Sequence, residues 1–440
     1  MNLNSALRFL ILGLAAALTL FSAIISGPNT QAGQILEGVR AKAVQQLLRS
    51  SNYACVETVD RSYYQNLSPV RAACETSNPA DSPEIMHDRL RLNVAVSEGG
   101  EIFGWHGADS LSSGQVDRLV PGGPVSSGSF IGFVRNIFMS SGVEFRYKGT
   151  GREHGLKVVQ FSYRVPQSVS HFRIEGADNR RAVVAFYGTF SANETSFELA
   201  RLRVVAASIP LGLQICAADN QVTYQLAKIS GAMTLIPKSF ELHVQDQSRL
   251  YTVSRSNFSD CHEYRAESTL RFDSPGIASA PASRNAPERW LPPGLELHVG
   301  MSNALDEKTS FTGDAVDAYL TQPLRAAQGQ ILAPQNAKLG GIITQFENYY
   351  QPKLYETLRI QFNSLESPSV NYRMLAVHKA SQKEIEFAAM LHDGAVPPDI
   401  QSDLLKGTIF FSSFRSRLRK AFQGIWETRP TGAEKTEISR

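Results

Sequence analysis

The sequence contains few charged residues and no marked excess of either sign. Only 19% of its 440 residues are charged, and 44 Lys and Arg against 41 Asp and Glu leave a net charge of +3. A nucleic-acid-binding protein would show a clustered excess of Lys and Arg, so we expect no nucleic-acid partner. A disordered chain would be poor in apolar residues, whereas 42% of these residues are hydrophobic. The composition predicts a folded chain of two or three domains.

The short motifs of common active sites are absent. The nine histidines never occur in HxH or HExxH spacing, which excludes a site where two His one helical turn apart share a zinc ion. The GxSxG nucleophile turn and the GxxxxGK[ST] and GxGxxG phosphate loops are also missing. We therefore predict a non-enzymatic protein without metal or cofactor. A hydrolase whose triad is assembled from distant residues stays open as an alternative, because triads are defined by geometry.

A long apolar run occurs only near the N-terminus. Residues 2–32 carry one charged side chain, Arg8, followed by a mostly apolar stretch over 9–25 and a breaker-rich run that ends at Ala32. This is the layout of a secretory signal peptide over residues 1–32, with cleavage near Ala32. An uncleaved anchor is the alternative, since the apolar stretch has the minimum length for a membrane span. We expect a periplasmic or secreted protein of the cell envelope.

The sequence contains few cysteines, and their number is even. An even number in an exported chain predicts disulfide bonds, two for the four cysteines here. Three pairings are open, and we favour the two sequence-local pairs, Cys55 with Cys74 and Cys216 with Cys261. A metal site is the weaker alternative, because the spacings are not CxxC.

In the first 240 residues after the signal, apolar and polar residues mostly alternate as they do in β-strands. Residues 34–50 are apolar at three- and four-residue intervals, which predicts an amphipathic helix that covers a sheet. Strands are predicted over 53–64, over 89–96 and over 101–105. Further short runs separated by turn residues predict one large curved antiparallel sheet or barrel. These runs lie at residues 143–147, 156–165, 170–174, 181–190, 197–209, 221–229, 240–244, 249–255 and 261–272.

One helix interrupts this series of strands. Residues 129–139 are apolar at helical spacing on more than half of the helix circumference. Such a helix must be buried or must cover a cavity.

A linker separates this part from a second β region. Residues 273–290 are small, contain proline and lack periodicity. Six more strands are predicted, at 295–299, 315–320, 338–346, 358–365, 372–378 and 383–388. The last apolar pattern predicts an amphipathic helix with a basic face, which could pack on its own domain or lie on an anionic membrane. Its apolar residues are Phe414, Leu418, Ala421, Phe422, Ile425 and Trp426. The predicted domains are therefore 33–272 and 291–428, followed by a polar tail over 429–440.

The first region resembles a known superfamily. The stretches Tyr53-Ala-Cys-Val-Glu-Thr-Val, Asp88-Arg-Leu-Arg-Leu-Asn-Val and Glu101-Ile-Phe-Gly-Trp are similar to the first three strands of LolA/RseB-like periplasmic lipoprotein carriers and stress regulators. The resemblance covers 33–272 and rests on the order of elements. It implies an incomplete barrel whose apolar concavity holds acyl chains beneath helices. The candidate ligand-binding residues are Leu90, Leu92, Val94, Phe130, Phe133 and Ile137. The alternative is an ordinary filled core.

The second region resembles the small β-barrel domain of type IV secretion and conjugation scaffold proteins. The matching stretches are Leu291-Pro-Pro-Gly294, residues 313–320, Ile331-Leu-Ala-Pro334 and residues 338–344. At Ala333-Pro334-Gln335-Asn336 the chain departs from the pattern, since relatives usually show Pro followed by Gly. The resemblance implies a barrel and an assembly role.

Together these patterns predict a mainly β (α+β) fold, with a curved antiparallel half-barrel, covering helices and a second small β-barrel domain. The predicted function is the binding of an apolar ligand, a lipid or a lipoprotein acyl chain, in the half-barrel. The alternatives are a structural component that docks envelope protein partners and a hydrolase with a non-local active site.

Overall fold

A computed structural model describes most of the chain. The described residues are 30–49, 52–65, 74, 82–97, 100–108, 111, 116–120, 122–124, 130–176, 180–264, 287–306, 308–412, 417–418 and 422–430. The predicted signal up to residue 29, residues 273–286 of the predicted linker and the tail from 431 lie outside this set. The described structure is mostly β, which confirms the predicted fold class.

The first region begins with a helix and continues as a long meander of strands. Its helices are α1 (Gln31–Arg49), α2 (Val116–Leu119) and α3 (Phe130–Met139). Its strands are β1 (Tyr53–Gln65), β2 (Glu84–Ser97), β3 (Gly100–Trp105), β4 (Glu144–Glu153), β5 (Leu156–Val165), β6 (Arg173–Glu175), β7 (Arg181–Val183), β8 (Ala185–Asn193), β9 (Leu199–Ala207), β10 (Ile215–Ile229), β11 (Ala232–Asp246) and β12 (Leu250–Glu263).

Ten of these strands form one antiparallel sheet. The order is β3-β2-β1-β12-β11-β10-β9-β8-β5-β4, and β6 and β7 form a separate hairpin. The last strand, β12, returns to pair with the first strand, β1. This return brings the two ends of the meander together.

The core of the first region lies between the inner face of this sheet and the helices α1 and α3. Side chains alternate between the two faces of a strand, and on β1 the inward series includes Tyr53, Cys55 and Val59. Val39 of α1 and Ile137 of α3 are fully buried in the same cluster. The two predicted helices therefore cover the sheet, as their apolar faces require.

The second region closes into a barrel. Its strands are β13 (Glu288–Trp290), β14 (Glu296–Met301), β15 (Leu305–Asp306), β16 (Ala315–Leu320), β17 (Leu324–Arg325), β18 (Ile331–Ala333), β19 (Lys338–Tyr349), β20 (Tyr355–Glu366), β21 (Asn371–His378), β22 (Thr408–Ser412), β23 (Arg417–Leu418) and β24 (Gln423–Thr428). Six of them pair antiparallel in the ring β14-β16-β19-β20-β21-β24-β14. Helices α4 (Gln382–Leu391) and α5 (Pro398–Leu405) lie between β21 and β22.

The strand predicted over 383–388 is wrong, because these residues belong to helix α4. Ser381 caps the helix: its hydroxyl accepts from the Glu384 backbone N–H, and the Glu384 carboxylate accepts from the Ser381 backbone N–H. Such a capping box specifies a helix start. Ala388 and Leu391, three residues apart, form the buried side of the helix.

The amphipathic helix predicted over 414–426 is also wrong. Residues 417–418 form the short strand β23, and the end of the segment belongs to β24, which closes the barrel between β14 and β21. Trp426 is 0% exposed, and its Nε1 donates to the Ile360 carbonyl at 3.3 Å. Pairing with two neighbouring strands outweighs the local helical pattern. The membrane contact argued from this helix therefore loses its basis, while 414–416 and 419–421 lie outside the described residues.

The favoured disulfide pairing is wrong. The bonds join Cys55 to Cys261, with Cα atoms 4.1 Å apart, and Cys74 to Cys216, with Cα atoms 5.0 Å apart. Because β1 pairs with β12, Cys55 meets a cysteine 206 positions away. Two disulfide bonds fit an exported protein.

The two regions meet along strand β2. The end of β19 leaves the barrel and pairs with β2, with Glu347 opposite Asp88. Arg89 and Arg91 of β2 each place their guanidinium 3.9 Å from the centroid of the Phe311 ring. Arg91 also donates to Asp314 at 2.8 Å. These contacts position a cavity between the two regions. Among the described residues, no helix is both long and apolar enough to cross a membrane.

Candidate functional site

The predicted ligand-binding residues come together in the core of the first region. Leu90, Leu92 and Val94 project from β2 onto the inner face of the sheet, where Phe133 and Ile137 of α3 pack against the same cluster. The Phe133 ring lies 5.1 Å from the Phe172 ring and 5.8 Å from that of Phe186, centroid to centroid. Phe130 begins α3, but its side chain lies outside the described part of the structure. The role of these residues in ligand binding stays a prediction.

A small, partly open apolar cavity lies beside this core. It has a volume of ≈ 30 Å³ and lies between α1, α3 and the β10–β11 hairpin. Its lining residues are Ala43, Gln46, Leu47, Tyr53, Ile131, Val134, Tyr224, Leu235 and Pro237. A space of this size holds about one water molecule.

Two carboxyl groups face the same core. Glu57 of β1 is 2% exposed and lies opposite Leu92 in the sheet, so both side chains occupy one face. Burial raises the pKa of Glu57 to about 7, although a hydrogen bond with Ser256 opposes the shift. Burial, and then the charge of Glu57, raise the pKa of Glu101 on β3 well above its usual value. The Glu101 Oε1 atom is buried and has no hydrogen-bond partner within the described chain.

A larger cavity of ≈ 200 Å³ lies between the two regions. The first region supplies Arg61, Asp88, Leu90, Trp105 and Val120 to its lining. The second region supplies Thr312, Gln345, Glu347, Arg359, Asp403 and Lys406. Leu90 and Val120 belong to the apolar core of the first region, and Trp105 packs against it. The cavity therefore has polar walls and an apolar floor that is part of that core.

A buried ion pair forms one end of the inner face of β1 and β2. Arg61 donates through Nε to Asp88 Oδ1 at 2.7 Å, and its Nη2 donates to Asp88 Oδ2. Its Nη1 donates to the Gly122 carbonyl at 2.8 Å. The paired positions of the two strands then run from this end into the core, in the order Arg61–Asp88, Val59–Leu90, Glu57–Leu92, Cys55–Val94 and Tyr53–Val96. The cavity thus opens at the polar end of an otherwise largely apolar face.

The second region contributes two acids and two cations to the cavity. Glu347 Oε2 accepts from Gln345 Nε2 at 2.7 Å, Tyr349 OH at 2.8 Å and Thr357 Oγ1 at 3.2 Å. Burial raises the pKa of Glu347, although the hydrogen bonds from Gln345 and Tyr349 oppose the rise. Across the cavity wall, Arg359 Nη2 lies 3.1 Å and Lys406 Nζ 3.6 Å from the Oδ1 atom of Asp403.

Of the residues that line this cavity, only Leu90 is among those predicted from the sequence, and the polar walls were missed. Leu90 was predicted from its alternation, but Arg61, Asp88, Glu347 and Arg359 belong to segments separated by up to 298 positions and carry no shared motif. The one local signal lies in β1, whose inward-facing positions are two residues apart. After Glu57 and Val59, the next of these positions is the charged residue Arg61. In the described residues, no group of three or more His, Cys, Asp or Glu is placed to hold a metal ion.

Comparison with known proteins gives weak likenesses. No protein-family model and no curated protein matches the chain. A DUF1329 family protein from Desulfovibrio piger is 9% identical and has a TM-score of 0.25, with 53% of this chain and 95% of that chain covered. A domain from Vibrio parahaemolyticus, described as an outer membrane lipoprotein-sorting protein, is 7% identical with a TM-score of 0.25, over 54% of this chain and 95% of that chain. The lipoprotein LppX of Mycobacterium tuberculosis is 12% identical with a TM-score of 0.22, over 53% of this chain and 97% of that chain.

TM-scores this low carry no argument about the function of this chain. Two of the three structures bear lipoprotein names, and the third is named only by its family. None of the three supports the resemblance of the second region to type IV secretion scaffold proteins.

Proposed function

We propose that this chain is a non-enzymatic protein of the cell envelope that binds an amphiphile, with the acyl chain of a lipid or lipoprotein entering the core of the first region. The observation that carries the proposal is the ≈ 200 Å³ cavity with polar walls and a floor of Leu90, Trp105 and Val120. An amphiphile needs adjoining polar and apolar surfaces, and this cavity supplies both at the edge of an apolar core.

The acyl chain would follow the inner face of β2 from the cavity. Leu92 and Val94 continue the apolar face beyond Leu90, and Phe133 and Ile137 of α3 belong to the same buried cluster. Each methylene that leaves water on entering such a space contributes about 0.8 kcal/mol. Affinity should therefore grow with chain length, by up to about fourfold for each added methylene.

Binding requires α3 to move away from the sheet. The cavity of ≈ 30 Å³ beside α1 and α3 is far too small for an acyl chain. Phe133 and Ile137 are buried in the cluster that also contains Leu90, Leu92 and Val94. Because the chain is as apolar as these side chains, it can replace the contacts that α3 gives up within this cluster. We include the division into domains 33–272 and 291–428, the signal over 1–32 and a periplasmic location in the proposal.

Quenching of tryptophan fluorescence tests the proposal. A lysolipid with bromine on its acyl chain is titrated into the full, oxidised protein, because bromine quenches indole fluorescence only at short range. Trp105 lines the cavity floor, whereas Trp290 is 58% exposed on β13. The quenching should be lost in Trp105→Phe and retained in the control Trp290→Phe.

Two results would overturn the proposal. One is an absence of quenching in the unaltered protein at every chain length. The other is quenching that persists in Trp105→Phe, since the chain would then bind away from the cavity floor. Mass spectrometry of the purified protein gives an independent check, in which we expect co-purifying lipid.

A further inference from the structure

The ionisable groups of the ≈ 200 Å³ cavity are separated by sign. Of its six charged side chains, Arg61 and Asp88 satisfy each other through two hydrogen bonds. The remaining four are two cations, Arg359 and Lys406, and two acids, Glu347 and Asp403. Their pairing leaves an excess of positive charge on one side and an acid without a direct ion pair on the other.

The cationic side consists of two bases that share one carboxylate. Arg359 Nη2 and Lys406 Nζ both approach the Oδ1 atom of Asp403, at 3.1 and 3.6 Å. Arg359 also donates to the Thr408 hydroxyl through Nε at 3.0 Å and through Nη2 at 2.6 Å. The Lys406 side chain is 59% exposed, which leaves its ammonium able to turn into the cavity. One carboxylate offsets only one of the two charges, so this side attracts an anion.

The acidic side is Glu347. Its Oε2 atom accepts three hydrogen bonds, from Gln345, Tyr349 and Thr357, all of them from neutral groups. Within the described residues Glu347 forms no direct ion pair, and Arg61 and Arg359 interact with its charge only at longer range. A buried carboxylate without a directly paired cation favours a ligand that brings a positive charge.

The distance between the cationic side and the acidic side matches the length of a small lipid head group. Arg359 pairs with Gln345 across β19 and β20, and Glu347 is two residues further along β19. Diagonal neighbours of this kind lie roughly 7–8 Å apart on one face of a sheet. A phosphate and an ammonium joined through two carbon atoms can bridge the tips of two such side chains.

We propose that the cavity binds the head of a zwitterionic phospholipid with a primary ammonium, whose phosphate lies between Arg359 and Lys406 and whose ammonium donates to Glu347. This inference rests on the proposed binding of an acyl chain and names the head that accompanies it. An anionic head would satisfy only the cationic side. A choline head carries the charge but has no N–H group to donate to the carboxylate.

Calorimetric titration with three lysolipids of one chain length tests the inference. Lysophosphatidylethanolamine, lysophosphatidylcholine and lysophosphatidylglycerol are added to the full, oxidised protein below their micelle concentrations, and free phosphoethanolamine is the fourth ligand. The ethanolamine lysolipid should bind at least about tenfold more tightly than the other two lysolipids.

Variants then test the assigned residues. Glu347→Gln should reduce the preference to within about threefold, because the amide has no charge to pair with the ammonium. The control Glu366→Gln, which alters an exposed acid on the same barrel strand as Arg359, should leave the preference unchanged. Lys406→Ala should weaken all three lysolipids alike, since each of them carries the phosphate.

The outcomes separate this inference from the proposed function. Equal binding of the three lysolipids, or a preference that survives in Glu347→Gln, overturns the head-group assignment and leaves acyl-chain binding standing. Free phosphoethanolamine that binds as tightly as its lysolipid overturns the acyl-chain proposal while supporting the head-group site. Failure of all four ligands to bind overturns both.

Discussion

The buried acid Glu57 should make the first region less stable as the pH rises. Its carboxyl group lies 2% exposed in an apolar core, which raises its pKa from 4.5 to about 7. The folded protein therefore holds this proton more tightly than the unfolded chain does. Below pH 4.5 the group is protonated in both states and has no effect. As the pH rises from 4.5 through 7, the unfolded state ionises freely and the folded state does not, so stability is lost.

The size of the effect follows from the shift. A rise from 4.5 to about 7 corresponds to roughly 3 kcal/mol of unfolding free energy, at about 1.4 kcal/mol for each pKa unit. This loss should be complete by about pH 8, where the carboxylate is ionised even in the folded protein. Glu101, whose pKa is also raised by burial, should add a loss of the same sign.

Urea unfolding between pH 4.5 and 8 measures this prediction. The full, oxidised protein is followed by circular dichroism, and the dependence of the unfolding free energy on pH is compared with that of Glu57→Gln. The variant keeps the shape of the side chain but cannot ionise. Between pH 4.5 and 8 its unfolding free energy should therefore fall by about 3 kcal/mol less than that of the native protein. The change in stability with pH is compared, because the amide alters the absolute stability through its own hydrogen bonds.

A matched control isolates the effect of burial. Glu144→Gln removes an exposed acid at the start of β4 and should leave the pH dependence of the native protein unchanged. If Glu57→Gln shows the same pH dependence as the native protein, the carboxyl group is not held neutral by the core. The same result would show that the interior around Leu92 is not of low polarity.

Three further stability measurements probe other parts of the structure. Burial by itself would raise the pKa of Glu384, but hydrogen bonds and the charge of His378 lower this pKa to about 2. Glu384→Gln should therefore remove roughly 3 kcal/mol of stability, which the native protein has above pH 4.5 and loses between pH 4.5 and 2. An unchanged acid unfolding curve would contradict this prediction. Arg61→Met leaves Asp88 buried without its partner and should cost about 3–5 kcal/mol in urea unfolding at neutral pH, and a cost below 1 kcal/mol would show that the pair is hydrated. Replacing both cysteines of the Cys55 disulfide by serine should cost about 3–5 kcal/mol in the same assay, because the bond closes a loop of 206 residues.

The strands of the first region could be predicted because their signal is local. Leu90, Leu92 and Val94 alternate with polar residues, and this two-residue period appears in any strand with one buried face. Helix α3 could be predicted in the same way, since its apolar residues cover most of its circumference. These elements needed no knowledge of their neighbours.

Two of the wrong predictions, the C-terminal helix and the disulfide pairing, depended on distant partners. The end of the predicted C-terminal helix is instead strand β24, because Leu297 of β14 and His378 of β21 each pair with Trp426. A pattern of apolar residues three and four positions apart is ambiguous over such a short segment. The disulfide pairing was wrong for the same reason, since Cys55 meets Cys261 only after the last strand of the meander has returned to the first.

Part of the candidate site could likewise be predicted from the sequence, and the rest required the tertiary structure. The sequence by itself determined a mainly β fold, the helices over the first sheet and the apolar residues of its inner face, because composition and periodicity are properties of neighbouring positions. Only the tertiary structure decided which cysteines bond, how the second barrel closes and where Arg61, Glu347 and Arg359 line one cavity. These features depend on contacts between residues up to several hundred positions apart, and no local pattern encodes such contacts.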